Sequence, residues 1–158
     1  MPLRASLPTL GGSMNAFERL VRASVIQSLR DTSCAPATAA LAVSLGESEY
    51  AVSAALRALA DEHRLVLIPG TDSIWMAHPF SAVATDFLVI IGDRQWYANC
   101  VWDGLAILAL LGEGTLETHS PATGEPIRFR VSGGKVLGEA LVHFLVPARR
   151  FWDDIGFT

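Results

Sequence analysis

Eight consecutive residues without a polar side chain, Gly104–Leu111, constrain the fold of this chain more than any other stretch. Such a run reads as a helix that must be buried. Just before it, 91–95 has the composition of a turn and 95–99, around Trp96 and Tyr97, is strand-like. A strand therefore passes directly into an apolar helix, and Cys100–Val101–Trp102–Asp103 occupies the junction. The three-residue offset brings Cys100 and Asp103 to one face of the first helical turn. Unsatisfied N–H groups and the positive dipole end at a helix N-terminus favour a thiolate. Cys100 and Asp103 are thus a candidate pair of soft nucleophile and proton-handling carboxylate. The plainer alternative is a buried free cysteine beside an ordinary first-turn aspartate.

With 51% hydrophobic and 18% charged residues, the 158-residue chain is expected to bury a substantial core, as one domain or two small lobes sharing it. A net charge of −4 argues against nucleic acid or an anionic membrane as the main partner. The longest apolar helical run is far shorter than the roughly 20 residues of a membrane span. The N-terminus lacks the apolar stretch of a secretory signal, so the cytoplasm is the expected compartment. Two cysteines, Cys34 and Cys100, make neither a disulfide framework nor a four-ligand zinc site.

The pattern divides the chain into a flexible lead-in over 1–14, a helical lobe over 15–80 and a β-rich core over 81–158. Asn15 is positioned to cap a first helix running to about Leu29, with Phe17, Leu20, Val21, Val25 and Leu29 on its apolar side. A second helix follows Pro36 and ends by Gly46; Ser48 opens a third, with Val52, Ala55, Leu56 and Leu59 at helical spacing. Strands at 65–68 and 73–76 flank a Pro69–Gly70 turn. Three helices and a hairpin make a winged-helix-like lobe. Its third helix carries Arg57 as its only Lys or Arg, against Glu49, Asp61 and Glu62, which is the wrong charge for a DNA reader. Strands are expected at 86–91, 95–99, 114–119, 126–132 and 139–146, and a short last helix after Pro147.

The order of His78–Pro79–Phe80–Ser81, then 96–104 around Cys100 and Asp103, then Ser120–Pro126 and Val142–His143–Phe144 resembles the alkylmercury (organomercurial) lyase family across most of 15–154. The resemblance implies an α+β fold and protonolysis of a carbon–mercury bond. Carried over, Cys100 is the nucleophile and mercury ligand. Asp103 is the carboxylate that handles the proton and joins Cys100 at the metal. A soft thiolate suits a soft metal, and a carbanion leaving group calls for general-acid help. No cofactor is implied; the expected partners are a small organomercurial substrate or another thiophilic metal species, with small thiols as co-reactants.

Two positions depart from the family pattern. The later catalytic cysteine, due just before Val142, has no counterpart in Gly138–Leu141, and Ser120 stands where the family has another cysteine. One thiolate does not make a dithiolate, and Cys34 would supply the second only if the helical lobe folded over the site. His143 and Glu139 lie near the missing thiol; the plainer reading makes His143 a strand residue facing away from the buried side. His119 is expected at the surface and Trp102 beside the site. The competing functions are a non-catalytic metal- or ligand-binding homologue, an enzyme acting on a different small molecule, and a winged-helix regulator that senses a thiophilic ligand at Cys100.

Overall fold

A computed structural model describes residues 14–156, so the expected lead-in, apart from Met14, lies outside the described residues. Helix α1 (Ala16–Thr32) starts at a closed capping box. The Asn15 side chain accepts from the Glu18 N–H at 2.9 Å, and the Glu18 carboxylate accepts from the Asn15 N–H at 2.8 Å. Val21, Val25 and Leu29, one turn apart, face the core and Phe17 packs beside them; Leu20, expected on the same side, is half exposed, and the helix runs one turn past Leu29. After Pro36 comes α2 (Thr38–Leu45), which stops at Gly46 in the left-handed conformation, φ 69°. The Ser48 hydroxyl then caps α3 (Glu49–Asp61), whose Val52, Ala55, Leu56 and Leu59 are buried.

The remaining elements are β1 (Val66–Leu67), β2 (Ile74–Ala77), β3 (Phe80–Ser81), β4 (Leu88–Ile91), β5 (Arg94–Ala98), α4 (Val101–Leu111), β6 (Gly114–His119), β7 (Pro126–Ser132), β8 (Lys135–Leu137) and a 3₁₀ helix, Ala148–Asp153. All eight strands join one antiparallel sheet in the order β1-β2-β3-β5-β4-β6-β7-β8. The hairpin of the helical half and the strands of the β-rich half therefore share one sheet, and their buried side chains form one core. They meet at β3, held to β5 by only two residue pairs, Phe80↔Ala98 and Ser81↔Tyr97.

Side chains of β5 fix the end of α1. Trp96, buried, donates its indole N–H to the carbonyls of Leu29 and Arg30, each at 3.1 Å. Arg94 lies over the Trp96 ring and donates to the carbonyls of Arg30 and Asp31 at 2.7 and 2.8 Å. The Arg30 and Asp31 carbonyls are among those a helix leaves without intrahelical partners, whereas the Leu29 carbonyl also accepts the Ser33 N–H at 2.9 Å. Arg57 on α3 clasps Asp72 in the β1–β2 turn with two hydrogen bonds of 2.7 and 2.9 Å. The lone cation of α3 is thereby engaged within the protein.

Helix α4 crosses one face of the sheet and delivers the chain from β5 to β6 on the far side of β4. Gly104, Ile107 and Leu108 form its buried face, while Trp102, Ala109 and Leu110 are exposed. The apolar run is therefore covered on one face only, and Trp102, at 57% exposure, is not packed as expected. A Cβ at Gly104 would stand 2.6 Å from Leu116 Cδ1, so the absent side chain sets how closely α4 rests on β6.

The expected strand at 139–146 does not form. The chain turns at Gly133–Gly134 (φ 57° and 70°) and β8 occupies Lys135–Leu137; beyond Gly138 the backbone is irregular to Pro147. The apolar residues of this stretch, 140–142 and 144–146, wall a cavity instead. The strand pair β3 and β8, each three residues or fewer, was not foreseen.

Overpacking a tight helix–sheet contact costs about 1–3 kcal/mol. Gly104→Val is accordingly expected to lower unfolding stability by about that amount, read from denaturant melts, and to alter the reactivity of Cys100, the N-cap four residues earlier.

Candidate functional site

Cys100 is the N-cap of α4: its backbone is extended (φ −156°, ψ −179°) and its carbonyl accepts the first helical hydrogen bond, from Gly104, at 2.9 Å. The side chain is half-buried and free of any disulfide. Burial pushes the thiol above its ordinary range, and the nearby Asp103 carboxylate adds to this through its charge and by hydrogen bonding. Hydrogen bonding from the backbone of Asp103 and Trp102 pulls the other way and does not prevail. This corrects the expectation of a thiolate-favouring helix mouth: the amides are there, but desolvation and a like charge outweigh them. The resting group is a thiol.

Asp103 is the focus of a polar cluster that the sequence did not reveal. Its Oδ2 accepts from Asn99 Nδ2 at 3.0 Å and lies 3.2 Å from His78 Nδ1. His78 comes from the turn between β2 and β3, where the His78–Pro79 peptide is cis. Asn99 Nδ2 also reaches the carbonyls of Pro79 and Phe80, both at 3.4 Å, while its Oδ1 is buried without a hydrogen-bond partner. Over His78 lies Trp152 of the 3₁₀ helix, edge-on at 6.0 Å between ring centroids and 79° between planes. The same indole stacks flat on His63 at 4.1 Å and 3°. His78 and Asn99 stood in the sequence only as parts of the shared motifs, with no role assigned to either.

Cys100 also lines a cavity of about 430 Å³. Its walls are mainly apolar, with Phe87, Ile127 and Phe129 from the sheet side and Leu141, Phe144 and Phe151 from the C-terminal segment. His143 lines it too, so the expectation that His143 faces away on a strand is corrected: it sits in irregular chain that forms the wall. Ala140 and Leu141 are part of the lining, whereas Glu139 and Asp103 are not. His119 is at the rim of the sheet, 3.6 Å from the Asp86 carboxylate.

Cys34 is exposed in the loop after α1. Its neighbour Ser33 donates to the carbonyl of Gln95, near the start of β5, whereas Cys100 follows the end of that strand. At about 3.4 Å per strand residue the two ends stand on the order of 15 Å apart. Among the described residues, no group of three or more His, Cys, Asp or Glu side chains is arranged to hold a metal ion. No helix among them is long and apolar enough to cross a membrane.

The fold is mixed helical and antiparallel, with a cysteine at the mouth of α4 that lines an apolar cavity and a carboxylate one turn along. The family model described as alkylmercury lyase (MerB) matches residues 80–158, half of the chain. The chain belongs to the alkylmercury lyase family. Among solved structures, the mercury-bound form of MerB2 is similar in fold, with a TM-score of 0.64 over 79% of this chain at 23% sequence identity. The match covers 60% of that protein's chain. No curated protein sequence matches.

A raised thiol reacts slowly with iodoacetamide at neutral pH, because the thiolate is the nucleophile. Peptide mass mapping is expected to find Cys34 labelled first and Cys100 labelled appreciably only at alkaline pH. In Asp103→Asn the charge and hydrogen bond that raise the thiol are gone, so Cys100 labelling shifts toward lower pH.

Proposed function

We propose that this chain is an organomercurial-lyase-like protein in which Cys100 captures the mercury of an organomercurial and Asp103 carries the proton to the leaving carbon. The observation that carries this reading is the position of the Cys100 thiol: on the wall of an apolar cavity, one helical turn from Asp103, in a chain of this family. The cavity accepts the organic group, and the thiol on its wall meets the metal.

The chemistry runs in two steps. Mercury, bonded to carbon and to an exchangeable ligand, exchanges that ligand for the Cys100 sulfur, and the thiol proton leaves with the displaced ligand. A soft metal drives this exchange even from a protonated thiol, since mercury–sulfur bonding is far stronger than the competing oxygen bonding. In the second step a second thiol binds mercury through sulfur, its proton passes by way of Asp103 to the carbon, and the carbon–mercury bond breaks. The products are the hydrocarbon and mercury held between two sulfurs. Cys34 lies at the wrong end of β5 for the second sulfur, so a small thiol from solution supplies it.

A second reading, capture without turnover, is favoured by that same absence of a second cysteine near the cavity among the described residues. The three helices and the β1–β2 hairpin support a winged-helix-like description of the N-terminal half, serving as a packing lobe. Its third helix, with Arg57 held by Asp72, presents no free cation to a phosphate backbone.

Incubation with phenylmercuric acetate, free of small thiols, is expected to leave a stable protein adduct at Cys100 that retains the phenyl group. Excess cysteine then releases benzene, measured by gas chromatography. Asp103→Asn keeps the adduct and lowers the release rate by about a hundredfold, the scale of general acid–base help. Ala140→Cys or Leu141→Cys, on the cavity wall with Cys100, raises turnover without added thiol. An adduct that never releases benzene, with or without thiol, establishes the second reading.

A further inference from the structure

We propose that His78 is a positioning residue for Asp103, with Asn99 as its partner; the inference rests on the lyase reading and extends it to a residue outside the Cys100–Asp103 pair. Both side chains address the same carboxylate oxygen, Oδ2, from different elements: His78 from the β2–β3 turn at 3.2 Å, Asn99 from the β5–α4 junction at 3.0 Å. A carboxylate accepts only, so we assign the imidazole N–H to Nδ1; Asn99 Nδ2, a donor 3.4 Å from the same nitrogen, favours the other tautomer but is the longer contact. Two donors on one oxygen fix the torsions of the Asp103 side chain and leave its remaining lone pairs for Cys100, whose thiol the carboxylate perturbs. Neither donor is itself in the cavity lining.

The donors are in turn held. Trp152 packs edge-on against the His78 ring, and His63 stacks on the other ring system of that contact, so imidazole rotation is opposed on one side by an indole itself fixed in place. Asn99 Nδ2 is drawn toward the Pro79 and Phe80 carbonyls as well as Asp103, which fastens the chain following His78 to the start of α4. An unconstrained aspartate at the first turn of a helix samples several rotamers. Here a proton-carrying group is kept in one, and misplacement by about 1 Å can cost a hundredfold in rate.

The test is a set of variants assayed with phenylmercuric acetate and excess cysteine. His78→Ala is expected to lower kcat for benzene release by at least about tenfold with KM unchanged, in line with a lost orientation rather than lost binding. Cys100 adduct formation in this variant stays within about twofold of the parent, since capture does not need Asp103 in place. His78→Asn, whose amide N–H can stand in for Nδ1–H, restores kcat to within about threefold. The double variant His78→Ala with Asp103→Asn is no slower than Asp103→Asn alone. Equal kcat in parent and His78→Ala overturns the proposal. So does a fall in kcat that tracks a lower melting temperature and is not recovered by His78→Asn.

A readout independent of turnover separates this inference from the lyase reading. Nitrogen-15 NMR at about pH 8, above the ordinary imidazole range, reports the tautomer of His78. The Nδ1–H form is expected in the parent and a mixture of tautomers in Asp103→Ala. If the parent releases no benzene but shows the Nδ1–H form, the lyase reading fails while the His78–Asp103 contact stands. If the parent shows the Nε2–H form, the positioning role fails whatever the turnover.

Discussion

The hydrogen bonds from Trp96 and Arg94 to the last carbonyls of α1 are the interaction on which the rest of the structure depends. The last carbonyls of a helix have no N–H partners within it, and at the exposed end of α1 those of Arg30 and Asp31 find donors on β5. Two side chains from one strand meet that demand, and in doing so they set where β5 lies relative to the three N-terminal helices. β5 then continues through Asn99 into Cys100, so the fixed strand aims the mouth of α4. The site inherits its position from a contact at the other end of the same strand.

Much of the fold was legible because it follows local rules. The cap at Asn15, the stop at Gly46, the cap at Ser48 and the apolar spacing of α1 and α3 are set by residues within a turn of one another, and each appeared where the sequence placed it. The strand-to-helix junction at Cys100 was equally local. The stretch 139–146 misled because a run rich in apolar residues does not by itself make a strand; whether it pairs is decided by the whole sheet. The apolar run of α4 overstated burial for a related reason: composition tells which residues tolerate burial, while the neighbouring layer decides which receive it.

The candidate site was half legible. Cys100 and Asp103 lie three residues apart and announce themselves. His78 and Asn99 matter only because β3 sits beside β5 in the sheet, a pairing between segments about 17 residues apart that periodicity does not encode. The protonation of Cys100 was misjudged for lack of the same information. The helix mouth was visible in the sequence, but the apolar wall contributed by residues 140–146 and the approach of the Asp103 carboxylate were not.

The two residue pairs joining β3 to β5 have a further consequence. They form a crossing as short as that between β2 and β3, and His78 stands on one side of it while Cys100 and Asp103 stand on the other. Proteins open locally at free energies well below that of global unfolding, and short pairings are where such openings begin. A brief parting of this seam separates the imidazole from the carboxylate while the helices and the main body of the sheet stay folded. The His78–Asp103 contact therefore depends on this short pairing, and on the Asn99 bonds to Pro79 and Phe80 that cross the same seam, more than on the three helices.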